Sequence, residues 1–170
     1  MCLFKRKKND DGKPVGKLAY LDPFNECEFV DLGLSVKWAN MNVGACVPEV
    51  IGSYYNYDEI EGRYNLPTVG EVREMFEKCT MKYDKKRNGF ELKGPNGNVI
   101  FMPIGGEKEG NARVTGSYFW TCSGEESGYM QDYMYYGCLM LVNKALKKVK
   151  CEVNLLKRNG FWINVREVQR

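Results

Sequence analysis

At 170 residues, 44% of them hydrophobic and with eleven Tyr, eight Phe and three Trp, the chain can bury a core and is far too aromatic to be disordered. Its formal charge of +3 is uneven: residues 1–20 carry six Lys or Arg against Asp10 and Asp11, so the rest sums to −1 and offers no concentrated basic face for nucleic acid. No apolar run is long enough for a membrane span, and no apolar stretch follows the basic start to make a signal peptide.

Residues 1–25 read as a basic flexible leader, punctuated by Gly12, Pro14, Gly16 and Pro23. A single domain is expected over 26–170. Without a visible export signal, the expected location is cytoplasmic or virion-associated, with surface exposure only if such a signal is missing from the sequence. Order should begin at Glu28–Leu32, where apolar residues alternate with acids as in a half-buried strand, and resume at Val36–Ala39. Pro48-Glu49-Val50-Ile51 suits a short helix with Pro in its first turn, closed by Gly52 and the tyrosines at 54, 55 and 57. Those tyrosines are expected to pack that helix onto a sheet.

The clearest local signal is Thr68 followed by Glu71, a capping box in which each side chain satisfies a backbone N–H left free at a helix start. Val69, Val72, Met75, Phe76 and Cys79 then fall on one face, which predicts a helix over 69–79. Glu74 and Lys78 form an i,i+4 pair of the favoured polarity.

Two strand-like runs, 90–93 and 98–102, flank Gly94-Pro95-Asn96-Gly97 and predict a hairpin. The second run is apolar on both faces and reads as a central strand. Further strands are expected at 118–122, 133–142, 148–156 and 161–168. Helices near the front and strands behind make an α+β domain.

Seven cysteines stand at least thirteen residues apart, with no CxxC spacing and no His, which leaves neither a metal-ligand pattern nor the usual general base. Reduced thiols are expected, several as small buried hydrophobes. Trp38, Trp120 and Trp162 are expected in the core.

The order of several segments is familiar. Phe29-Val30-Asp31-Leu32-Gly33-Leu34, Val36-Lys37-Trp38-Ala39 and Asn42-Val43-Gly44-Ala45 resemble the opening of the Fibrobacter succinogenes major paralogous domain family. Pro48-Glu49 with Gly52-Ser53-Tyr54-Tyr55, then Leu66-Pro67-Thr68-Val69-Gly70-Glu71, continue the likeness. So do the 94–103 hairpin, Gly116–Ser123, and the closing Val165-Arg166-Glu167-Val168. The resemblance implies a C-type lectin-like fold: two or three short helices packed on antiparallel sheets, with paired N- and C-terminal strands. The fold is related to formylglycine-generating enzymes and to retroelement-diversified variable proteins. The closely spaced cysteine pair of the former and the Glu-Pro-Asn and Trp-Asn-Asp calcium signatures of sugar-binding lectins are missing here. No catalytic residue, metal or cofactor is therefore assigned.

Binding residues concentrate in loops mounted on a rigid sheet, and Tyr with small polar residues suits adaptable recognition. The segment 124–133 and the turn 157–159 have that composition. The candidate ligand-binding residues are Glu125, Glu126, Tyr129, Gln131, Asp132, Tyr133, Lys157, Arg158 and Asn159. The carboxylates among them read as solvated groups rather than calcium ligands. The function expected is non-enzymatic recognition of a protein or glycan by a bacterial or phage adhesion domain, with a retroelement-diversified protein as one version. The alternative is a structural subunit of a phage or cell surface that acts through homo-oligomerisation.

Overall fold

The computed structural model describes residues 27–105, 116–126, 133–143, 148–157 and 160–170; the leader expected over 1–25 lies outside them. The described residues form a mixed α+β structure of two helices and three antiparallel sheets of three strands each.

The first sheet joins the two ends of the described chain. Strand β1 (Phe29–Val30) and strand β9 (Val168–Gln169) both pair antiparallel with β2 (Lys37–Ala39), and Trp38 stands opposite Val30 on one side and Val168 on the other. The second sheet is a meander of β3 (Thr80–Asp84), β4 (Gly89–Lys93) and β5 (Val99–Pro103). The third is longer, with β6 (Gly116–Glu126), β7 (Tyr133–Asn143) and β8 (Lys148–Lys157) paired in chain order.

Helix α2 (Val69–Lys78) forms where its capping box lies. Thr68 Oγ1 accepts the Glu71 N–H at 3.2 Å, and Glu71 Oε2 accepts the Thr68 N–H at 2.7 Å. Val72 and Met75 are wholly buried on its inner face. The other helix is not at 48–51, which is only a turn closed by the Val50 N–H on the Val47 carbonyl at 3.1 Å. Gly52 follows with φ of 81°, and a Cβ there would meet the Val43 carbonyl at 2.5 Å, so the chain reverses instead of coiling. The helical turn falls at α1 (Tyr57–Ile60), where Asn56 and Glu59 form a second capping box.

Three strand expectations need correction. β5 is buried as foreseen but lies at a sheet edge, because β4 occupies the middle. The edge is covered by Arg166, whose Nη2 donates to the Phe101 carbonyl at 3.1 Å. β3 was not foreseen at all. The strand expected at 161–168 reduces to isolated bridges, Ile163 with Tyr55 and Asn164 with Phe119, followed by the two-residue β9.

The core divides in two, and β6 is the wall between the halves. Successive strand residues face opposite ways. Phe119 enters a cluster with Leu32, Trp38, Met75, Phe90 and Val168, while Trp120 enters one with Tyr57, Ile60, Leu66, Tyr135 and Ile163. Edge-on aromatic contacts tie each side: Trp38 to Phe119 at 6.0 Å and Tyr57 to Trp120 at 5.5 Å. Trp38 and Trp120 are buried as expected, but Trp162 is only half-buried. Among the described cysteines, Cys79 and Cys138 are buried free thiols and Cys27, Cys122 and Cys151 are free; Cys46 departs from the expectation and is disulfide-bonded. No helix among the described residues is long and apolar enough to cross a membrane.

Candidate ligand-binding face

The third sheet changes register just before the residues singled out in the sequence. Trp120 stands opposite Gly137, but Gly124 stands opposite Tyr135, so Thr121, Cys122 and Ser123 bulge out of the ladder. Their polar groups are satisfied locally and against the start of α2. Thr121 Oγ1 donates to the Tyr136 carbonyl at 2.7 Å, the Cys122 N–H to the Pro67 carbonyl at 2.9 Å, and Ser123 Oγ accepts the Val69 N–H at 3.0 Å. The bulge therefore fixes the outer end of β6 to the capped end of α2.

Beyond the bulge the three strands come back into step. Glu126 stands opposite Tyr133, and Glu125 and Lys157 both stand opposite Met134. Lys157 lies 32 positions from Glu125 in sequence, yet the register sets them in one row on either side of β7, two strand spacings or about 10 Å apart. The structure thus brings Glu125, Glu126, Tyr133 and Lys157 to one end of one sheet. Gly124, Glu125 and Glu126 are strand residues where the sequence suggested a loop, and Tyr133 opens β7 where a strand was expected to begin. Pairing with β7 outweighs the weak strand propensity of Ser-Gly-Glu-Glu. Tyr129, Gln131, Asp132, Arg158 and Asn159 lie outside the described residues.

The next row inward supports this end. Tyr135, between Gly124 and Leu156, is buried and stacks on Tyr57 with the rings 15° from parallel. Its hydroxyl donates to Glu61 Oε1 at 3.1 Å. Burial, reinforced by Tyr135, pushes the Tyr57 hydroxyl far above its ordinary range, so it stays protonated. Trp120 Nε1 donates to the Tyr55 carbonyl at 2.8 Å. The tyrosines do pack a helix onto the sheet, but the helix is α1. Sequence reading did not single out Tyr135; the Asn56–Glu59 capping box was the available signal that α1 begins there.

Among the described residues around Cys122, the net effect on its thiol is upward. The side chain is exposed at the bulge, yet partial burial of the thiol raises its pKa, and the nearby Arg170 guanidinium opposes this without overcoming it. The thiols of Cys79, Cys138 and Cys151 are likewise raised by burial. Among the described residues no group of three His, Cys, Asp or Glu is arranged to hold a metal ion.

Compared with known proteins, the chain matches no family model, no curated protein and no solved structure.

Proposed function

We propose that this chain is a C-type lectin-like recognition domain of the Fibrobacter major paralogous kind, and that it binds a protein or glycan at the outer end of the β6–β7–β8 sheet. The observation that carries the reading is the register at the outer end of this sheet. There Glu125, Met134 and Lys157 form one row and Glu126 with Tyr133 the next, on the opposite face, where Tyr133 is the neighbour along β7 of the buried Tyr135. Charged, tyrosine-bearing residues presented on a fixed sheet lose little conformational freedom on binding.

The family-like segments support the same division of labour, because they bond chiefly to one another. Asn96 and Asn98 of the hairpin donate to the Asp31 carbonyl at 2.9 and 2.8 Å. Arg166 Nη1 donates to the Ala39 carbonyl at 2.9 Å, and the Val43 N–H to the Val165 carbonyl at 3.0 Å. Cys122 and Ser123 bond to Pro67 and Val69. These segments are occupied in building the scaffold. The rows beyond the bulge carry no family-like motif and are the part left for recognition.

The test is a glycan array and a bacterial surface-protein panel probed with the chain, followed by alanine at Tyr129, Tyr133 and Arg158. Loss of binding to the ligand found supports the placement, and unchanged binding refutes it. A stable homo-oligomer in light scattering that buries residues 123–159 favours an assembly subunit instead.

A further inference from the structure

Strands β3 and β8 meet at the larger core, and two sulfur atoms touch there. Cys151 Sγ lies 3.4 Å from Met81 Sδ. In the β7–β8 ladder Cys138 is opposite Val153 and Met140 is opposite Cys151, so Cys138 and Cys151 are diagonal neighbours on the same face. Cys138 is wholly buried in the larger core, and Cys151 and Met81 pack half-buried against it. A diagonal Cα separation of about 7–8 Å is too long for a disulfide without backbone movement, and both thiols are free. Packing alone does not call for sulfur at these places, since Val149 and Val153 fill the neighbouring positions of that face.

We propose that Cys151 and Met81 form a two-sulfur binding site for a soft monovalent cation of the Cu(I) or Ag(I) class. Thiolate and thioether donors select such ions over magnesium, calcium or manganese, which prefer oxygen. Two sulfurs bound to one ion at about 2.3 Å, the length of a zinc–thiolate bond, stand roughly 4 Å apart. The Cys151–Met81 pair at 3.4 Å needs only a slight opening to admit the ion.

As the ion binds, the Cys151 S–H bond breaks, its proton passes to solvent and a sulfur–metal bond forms. Met81 contributes a neutral thioether, while the wholly buried Cys138 keeps its proton and stands beside the site without ligating. A single positive charge replaces a single proton, so no net charge is buried. Because the Cys151 thiol is held up at about 11 by burial, the ion competes with a proton and affinity rises with pH.

The test is anaerobic titration of the chain, its Cys46 disulfide left intact, with Cu(I) in competition with bicinchoninate at pH 6, 7 and 8. Cys27→Ser with Cys122→Ser serves as the reference, to remove two other free thiols. The reference should retain one equivalent, more tightly at higher pH. Met81→Leu conserves volume and should weaken retention about tenfold or more, since even outer-shell groups cost that much. Cys151→Ser should abolish it. Failure of the reference to hold Cu(I), or unchanged affinity in Met81→Leu, overturns the proposal. In the unsubstituted chain, one equivalent of Ag(I) should slow alkylation of Cys151 more than that of Cys122; the reverse order also overturns it.

Discussion

Arg166 is a wholly buried guanidinium whose hydrogen-bond partners are carbonyls. Nη1 reaches Ala39 in β2 and Nη2 reaches Phe101 in β5, while Nε has no partner among the described residues. Burial lowers its pKa to about 9, a measure of how strongly the interior disfavours the charge, although a guanidinium at neutral pH remains protonated. The side chain is kept because its planar fork spans two sheets at once. Arg166→Lys offers one compact ammonium and cannot do so; it should cost about 2–3 kcal/mol in urea unfolding, the penalty of stranding buried polar groups. Glu74 is the opposite case. Bonds from Lys78 and then Ser35 lower its carboxyl to about 2. A depressed carboxylate contributes stability above its unfolded value, near 4.3, and loses it as pH falls toward 2. Glu74→Gln should therefore destabilise by about 0.5–1 kcal/mol at pH 7, screened as a surface pair is, with the difference shrinking between pH 5 and 2. An unchanged difference across that range would show that the ion pair is not its source.

At the scale of elements, some pieces were legible in the sequence because their signals are local. Thr68 and Glu71 announced α2, and Pro95 with Asn96-Gly97 announced the β4–β5 hairpin, since caps and turns act over three or four residues. Thr68→Ala should cost about 1 kcal/mol in thermal or urea unfolding by removing one partner of the box. Glu71 also receives Arg170, at 2.9 Å to Oε1 and 2.8 Å to Oε2, so the double substitution with Arg170→Ala should depart from additivity. Other elements were hidden. The Asn56–Glu59 cap sits within a run of tyrosines, and Pro48 offered a competing helix start. β3 follows directly on α2 with no breaker between them, and β6 extends through Gly124–Glu126 only because β7 pairs with it.

Across the whole molecule, the site was legible in composition but not in arrangement. Glu125, Glu126, Tyr133 and Lys157 stand out as polar and tyrosine-bearing, but register is a long-range property that no local pattern carries. Their two adjacent rows follow a bulge fixed to the start of α2 and a row held by Tyr135, which is seated between Tyr57 and Glu61. The proposed function therefore divides the residues into a scaffold and a face, joined through β6. The most direct test compares them in one assay: binding to the array-identified ligand and melting temperature, measured on Tyr133→Ala with Lys157→Ala and on Asn96→Ala with Asn98→Ala. The first pair should abolish binding while leaving the melting temperature nearly unchanged. The second should lower the melting temperature yet leave the surviving folded fraction able to bind. Full binding in the first pair, or loss of binding in the second without loss of stability, would contradict the account.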